Sequence, residues 1–188
     1  MAEEKELIVS ACNDDKEAFF ELAKKHAADI YNFCLYLTQN RSDAEDLSQE
    51  VFIKAFKAIK SFKQKSAFST WLHAIAINQH KDRLRHNKIL KFVSIDRLFH
   101  SKDGEKLRLE LPDRQKSAEN QLESSELKEI IAGSLDKLAP EQKIPIVLKY
   151  IEGKSLEEIA EICGCSVGTM SSRISRGIKT LRILISGS

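Results

Sequence analysis

The sequence predicts an all-α protein of two small helical domains joined by a flexible linker. Three observations carry that expectation. Apolar residues recur at steps of three and four, only 7 Gly and 3 Pro punctuate 188 residues, and the periodicity fades in one internal stretch. A hydrophobic fraction of 42% and a charged fraction of 31% belong to an ordinary globular chain. No run of about 18 apolar residues occurs, so no membrane span is expected. The stretch Met1–Glu6 is too acidic for a signal peptide, so a cytoplasmic location is expected.

The first helical stripe runs through Phe19, Leu22, Ala23, Ile30, Phe33, Cys34 and Leu37. A second helix is expected from about Ser42 to Ile59, with Ser42 as its cap and Glu45 closing a capping box. A short basic loop, Ser61–Ala67, leads to a third helix from about Ser69 through Trp71 to Asn87. Residues 93–123 then mix charges of both signs with Gly104 and Pro112, as a linker does. Helical pattern resumes with Leu127, Ile130, Ile131, Leu135 and Leu138. Pro140 suits the first turn of a further helix, whereas Pro145 removes a backbone donor inside it and is expected to kink it. The expected domains are thus 1–92 and 124–188, with the linker at 93–123.

Residues 155–185 carry the most legible local signal. Ser155-Leu-Glu-Glu158 is a capping box that opens a short helix with Leu156, Ile159 and Ala160 on one face. Gly164 suits the left-handed residue that ends such a helix. Ser166 then caps a second helix with an inward stripe of Val167, Met170, Ile174, Ile178 and Leu181. Helix, glycine turn, helix is the DNA-reading helix-turn-helix unit, whose second helix enters the major groove. Thr169 lies in its first turn. Its outward face collects Gly168, Ser172, Ser175 and Lys179, flanked by Ser171, Arg176 and Arg182. Small residues permit close approach to base edges, and cations contact guanine or neutralise phosphate. Ser171, Ser172, Ser175 and Arg176 are expected near bases, Arg173 and Lys179 near phosphates. The plain alternative is a solvated basic helix closing a bundle.

A net charge of +2 hides a strong segregation. Residues 1–50 hold 5 Lys and Arg against 12 Asp and Glu, a net of −7. Residues 51–95 hold 10 Lys and Arg against the single acid Asp82, a net of +9. Residues 164–188 carry Arg173, Arg176, Lys179 and Arg182 with no acid. A basic partner for the first block and a polyanion for the others follow from this pattern.

The second helix should bury Ala44, Leu47, Val51, Ala55 and Ala58. Its opposite face gathers Asp46, Gln49, Glu50 and Lys57 around Ile53, with Phe56 at the edge. An apolar residue ringed by polar ones on a wet face suits a protein-binding surface; the alternative is a lone exposed Ile without meaning. Around the loop, Phe62, Lys63, Lys65, Phe68, Ser69 and Trp71 interleave aromatics with cations and hydroxyls. Asn78, Lys81, Arg83, Arg85, Lys88 and Lys91 continue the track. Such a surface holds unstacked single-stranded bases; the plain alternative for Phe62, Phe68 and Trp71 is hydrophobic core, which suits Trp71 at least as well.

Three motifs, in order, carry a family resemblance. Ser-Asp-Ala-Glu-Asp-Leu-Ser-Gln-Glu-Val-Phe (42–52), Phe-Ser-Thr-Trp-Leu (68–72) and Glu-Glu-Ile-Ala-Glu-Ile-Cys-Gly-Cys-Ser-Val-Gly-Thr-Met-Ser-Ser-Arg (157–173) resemble a bacterial RNA polymerase sigma factor. The short length is similar to the extracytoplasmic-function (ECF) group of the sigma-70 family. The resemblance implies a sigma region 2-like helical bundle at 1–92 and a sigma region 4-like helix-turn-helix domain at 124–188. It implies that Asp46, Gln49, Glu50 and Ile53 dock on the coiled coil of the largest subunit of core RNA polymerase. Lys63, Lys65, Phe68, Ser69, Trp71, Asn78, Arg83 and Arg85 would read and open the −10 element. Thr169, Ser171, Ser172, Arg173, Ser175, Arg176 and Lys179 would read the −35 element as duplex. Ser171 stands where many relatives carry Lys or Arg. An anti-sigma factor is the further partner implied.

No nucleophile–base pair, phosphate loop or carboxylate dyad is visible, so no enzyme and no cofactor are expected. Cys12, Cys34, Cys163 and Cys165 lack zinc spacing, so no metal is expected. The rival reading is a stand-alone helix-turn-helix repressor or activator, which binds its operator without polymerase. An RNA-binding or structural helical protein is the third.

Overall fold

The computed structural model describes the backbone of residues 2–95 and 133–186 and the side chains of 3–87 and 133–186. Among these residues there are helices and turns but no strand. They form two compact units, drawn largely from the first stretch and the second.

Helix α1, Ala2–Cys12, was not foreseen from periodicity. Only Ile8 and Ala11 are buried well enough to mark an inner face, too few for a legible stripe. It is held to α2, Lys16–Thr38, by an ion pair of Glu3 with Lys25 and a hydrogen bond between Glu4 and the His26 ring, each at 3.2 Å. Asp15 opens α2, its Oδ1 accepting the backbone N–H groups of Glu17 and Ala18 at 3.0 and 3.1 Å. Leu22, Ile30, Phe33 and Cys34 form the expected inner stripe, all fully enclosed. Gln39, at φ 54°, takes the left-handed conformation that stops the helix.

Helix α3 spans Arg41–Ala58. Its cap is Asn40 rather than Ser42: the Asn40 Oδ1 accepts the Asp43 N–H at 3.0 Å. Asn40 has the extended backbone a cap requires, so Ser42 falls inside the first turn and stays exposed. Ala44, Leu47, Val51 and Ala55 are buried as expected. After a 3₁₀ turn at Ile59–Ser61, the loop carries Gln64 at φ 52° into α4, Phe68–Ile95, which packs along α3. The helix outruns its expected end at Asn87 and crosses the boundary drawn at 92/93. Nothing in Lys88–Ile95 breaks a helix, since the segment has neither Gly nor Pro. The rest of the 93–123 linker lies outside the described residues, as do Leu127, Ile130 and Ile131.

In the second unit, residues 133–136 are helical and α5 spans Pro140–Tyr150. Pro140 occupies its first turn, where the missing N–H costs nothing. Pro145 is buried, and α5 continues past it for a further turn and more. Helix α6, Leu156–Cys163, begins with both bonds of the Ser155–Glu158 capping box, at 2.8 and 3.2 Å. Gly164 ends it at φ 62°, ψ 38°, and the N–H of Cys165 returns to the Ala160 carbonyl at 3.0 Å. Helix α7, Val167–Ser186, follows, with Ser166 Oγ accepting the Thr169 N–H at 3.2 Å. Met170 and Ile174 are buried, while Ile178 and Leu181 are half-buried. Val167 departs from the expected inward stripe and is 40% exposed. As the first helical residue, its side chain leans back over the turn, beyond the cover of α6.

Gly177 fixes the seat of α7. A Cβ there would stand 2.5 Å from Ile146 Cδ1 and 3.2 Å from Gln142 Cβ, so α5 and α7 approach where a side chain is absent.

Candidate nucleic-acid and protein interfaces

On α3 the outer face is partly free and partly committed. Asp46, Gln49 and Ile53 are exposed, Ile53 by 54%, and Phe56 at the edge stacks edge-on against Phe19 with ring centroids 5.1 Å apart. Glu50 is held. Its carboxylate pairs with Arg83 of α4 at 2.8 Å and accepts the Gln79 amide at 3.3 Å. Gln79 Oε1 in turn accepts from Lys54 Nζ, and Arg83 reaches the Asp43 carbonyl at 3.2 Å. The Arg83 hydrogen bond, above all, holds the Glu50 carboxyl below the usual glutamate range. Arg83, expected among the promoter-opening cations, is thereby drawn to the acidic face.

The aromatics sort differently from their sequence pattern. Phe62 and Phe68 are buried, at 8% and 2% exposure. Phe68 lies edge-on to Phe62 with centroids at 5.7 Å and beside His26 at 5.5 Å. Phe68 is therefore a core residue and offers no face for a base, contrary to its expected role. The chain reverses through the loop and brings residues 62, 68 and 71 into one cluster, which excludes water from all but its edge. Trp71 supplies that edge. It is half-buried, with centroids 4.9 Å from Phe62 and 5.6 Å from Phe68.

One rim of Trp71 lines an open groove of about 420 Å³ between α3 and α4, shared with Lys54, Lys57, Ser61, Asn78 and Gln79. Lys57 and Asn78 are exposed there, and Lys63 and Lys65 are exposed on the loop. Ser69 is half-buried and its carbonyl accepts the His73 Nδ1–H at 2.7 Å. Arg85 is exposed and pairs with Asp82 at 2.5 Å. Lys54, Lys57 and Gln79 were not singled out as nucleic-acid contacts. The +9 charge of residues 51–95 contained the signal for the lysines, but only the helix pairing sets them opposite Trp71 and Asn78. The side chains of Lys88 and Lys91 lie outside the described residues.

On α7, Gly168, Ser171, Ser172, Ser175, Arg176, Lys179 and Arg182 are all exposed along one side of the helix. Thr169 is half-buried and turned to the cap, its Oγ1 2.9 Å from Ser166 Oγ. Arg173 is also half-buried and donates to Cys165 Sγ at 3.7 Å. Arg176 stays on the outer face, its Nε–H donating to the Ser172 carbonyl at 3.3 Å. The arrangement is a helix of small hydroxyls and cations projecting from a glycine turn, suited to a groove walled by phosphates.

Among the described residues, no helix is long and apolar enough to cross a membrane, and no three metal-ligating side chains converge.

The family models for sigma-70 region 2 and sigma-70 region 4 match residues 22–89 and 128–181. The ECF RNA polymerase sigma factor SigW of Bacillus subtilis is 35% identical over 168 residues, covering 89% of each chain. The ECF RNA polymerase sigma-E factor of Haemophilus influenzae is 37% identical over 162 residues, covering 86% of this chain and 84% of its own. Among solved structures, the sigma factor RpoE of Bartonella quintana, in complex with the anti-sigma factor NepR, superposes with a TM-score of 0.68 at 26% identity. That match covers 89% of this chain and 96% of RpoE. The chain belongs to the ECF group of the sigma-70 family and is a sigma factor, a polymerase subunit that directs transcription initiation.

Proposed function

We propose that the chain divides promoter recognition between two readers, with residues 1–92 docking polymerase and opening the −10 element, 93–123 as linker, and 124–188 reading the −35 element. The observation that carries this reading is the outer face of α7, where exposed serines alternate with Arg176, Lys179 and Arg182 and no acid interrupts them. Direct base contact falls to Ser171, Ser172, Ser175 and Arg176, and phosphate contact to Lys179 and Arg173. Asp46, Gln49 and Ile53 form the docking surface for the coiled coil of the polymerase's largest subunit, with Glu50 holding α3 against α4 behind it. The opened strand runs past Lys63, Lys65 and Asn78 and over the exposed rim of Trp71.

The chain does no bond chemistry of its own. A base leaving the stack costs a few kcal/mol, and capture by the first domain offsets it. Each domain binds DNA weakly, and polymerase joins the two into one high-affinity unit by raising their effective concentration. The work is cytoplasmic, where polymerase and promoters are, and an anti-sigma factor is a partner of this chain as NepR is of RpoE.

The test is transcription from fragmented genomic DNA by core polymerase with the purified chain. Transcripts should share two upstream elements. A chain that binds an operator tightly without polymerase, and starts no transcript with it, is instead a stand-alone helix-turn-helix regulator.

A further inference from the structure

The helix-turn-helix turn holds a pair of thiols that promoter reading does not use. Cys163 ends α6, Cys165 precedes the Ser166 cap of α7, and both are half-exposed thiols flanking Gly164. The separation of their Cα atoms depends on the dihedrals of the residue between them. At φ 62° and ψ 38° Gly164 is the mirror image of an ordinary helical residue. Two helical steps of 1.5 Å rise on a 2.3 Å radius span about 5.4 Å, and mirror geometry gives the same figure. A disulfide needs about 4.4–6.8 Å. Cys165 Sγ already turns back toward residue 163, donating to its carbonyl at 3.4 Å. No residue other than its two chain neighbours comes within 4 Å of where a Gly164 Cβ would stand, and both cysteines are partly exposed, so a small reagent reaches the turn. On its other side Cys165 Sγ accepts from the Arg173 guanidinium at 3.7 Å.

The remaining cysteines are unlike this pair. Burial pushes the Cys34 thiol up to about 12 and leaves it enclosed in the core. Burial also raises the Cys12 thiol, which donates to the Ile59 carbonyl at 3.3 Å.

We propose that Cys163 and Cys165 form a reversible disulfide by exchange with a low-molecular-weight disulfide, and that closing it weakens reading of the −35 duplex by α7. Cys165, as thiolate, attacks one sulfur of the small disulfide, forms a mixed disulfide and expels one thiolate, which takes up the proton Cys165 gave. Cys163 then loses its proton and attacks Cys165 Sγ, closing the intramolecular bond and releasing the second small thiol. Two electrons leave the cysteine pair and reduce the small disulfide to two thiols. The bond closes a ring of roughly eleven atoms across Gly164. It swings Cys165 Sγ toward Cys163 and away from Arg173, and it stiffens the turn that sets α7 against α6. The effect on DNA rests on the assignment of α7 to the −35 element.

The test uses the full chain treated with oxidised glutathione, freed of the reagent, alkylated and digested with trypsin. The peptide Ser155–Arg173 contains both thiols and no other cysteine. It should be lighter by two hydrogens, take up no alkyl group, and open with dithiothreitol. Added to core polymerase, the oxidised chain should give about tenfold less transcription from a −35-dependent promoter, the scale of one lost charge-assisted contact. Dithiothreitol should restore it, and Cys163→Ser should stop at the mixed disulfide, its peptide carrying glutathione on Cys165 and never closing. A wild-type peptide alkylated at both cysteines, or carrying glutathione on one, refutes the disulfide. A closed peptide with unchanged transcription refutes its control of reading. If the reduced chain shows no dependence on the −35 element, the assignment of α7 fails, and the peptide mass still decides the thiol chemistry alone.

Discussion

The outer faces of α3 and α7 are both polar, but the fold holds them differently. On α3, Glu50 pairs with Arg83 and Gln79, and Gln79 with Lys54, so part of that face is already committed to the α3–α4 contact. On α7, the outer residues Ser171, Ser175, Lys179 and Arg182 lean on no other element in any hydrogen bond or ion pair described above, and residues 164–188 contain no acid. A face woven into the fold couples docking to stability. One left out of it can be changed at little cost to the fold, so the two should respond to substitution in opposite ways.

The largest effect belongs to the inside of α7. Met170 is fully buried, and Met170→Ala should cost about 2–5 kcal/mol of stability, as core truncations do. The paired change Arg176→Ala with Lys179→Ala, on the outside of the same helix, should leave stability within about 0.5 kcal/mol. It should nevertheless weaken −35 duplex binding at least tenfold and reduce the salt dependence by about one phosphate contact, that of Lys179. Chemical denaturation and fluorescence anisotropy across a salt series separate the two outcomes. An outer variant that unfolds as readily as Met170→Ala would erase the distinction drawn for α7.

The second comparison lies within α3. Glu50→Lys removes the hydrogen-bonded partner of Arg83 and places a cation beside it, whereas Asp46→Lys changes an exposed residue that acts on Arg83 through charge alone. Both should weaken polymerase binding, but Glu50→Lys alone should lower stability, by about 1 kcal/mol once solvent screening is allowed for. A charge reversal that includes Glu50 therefore tests docking and folding together, and Asp46→Lys with Ile53→Ala is the cleaner probe. Equal melting temperatures for Glu50→Lys and Asp46→Lys would show that the ion pair does nothing for the fold.

How much of this was legible in the sequence depends on how local each cause is. Helices α6 and α7 were placed almost to the residue, because the Ser155–Glu158 box, Gly164 and Ser166 each act through bonds that span no more than five residues. The start of α3 was misread by one cap, since Asn40 and Ser42 are equally good capping residues and only the backbone decides between them. Helix α1 was missed because two buried residues make no periodic stripe. The aromatic track was misread at Phe68, since burial there arises from a chain reversal that places Phe62 and Trp71 against it. Glu50 and Arg83 stand 33 residues apart, and no local pattern announces their pairing. The charge blocks are local and legible, but tertiary contact decides which side chains on them are already spoken for.

The smallest effect is also the most specific to the α3–α4 pair. Glu50 is held below its ordinary value of 4.5, first by the Arg83 hydrogen bond and against the opposing effect of burial. A carboxyl whose folded value is depressed contributes stability above its unfolded value and loses it as pH falls through the folded value. The contribution should therefore be whole at pH 7, begin to fall near pH 4.5 and vanish below that. The Glu50 side chain is 45% exposed and Arg83 27%, so screening limits the pair to about 0.5–1 kcal/mol. Glu158 is also held low, by the Ser155 backbone N–H, so acid weakens the second unit by a separate route. Glu50→Gln isolates the first: wild type and variant should differ in urea unfolding at pH 7 and converge as the pH drops below the ordinary glutamate range. A gap that stays constant across that range would assign the loss to packing or to the amide's own hydrogen bonds, and would remove charge from the account of how α3 is held.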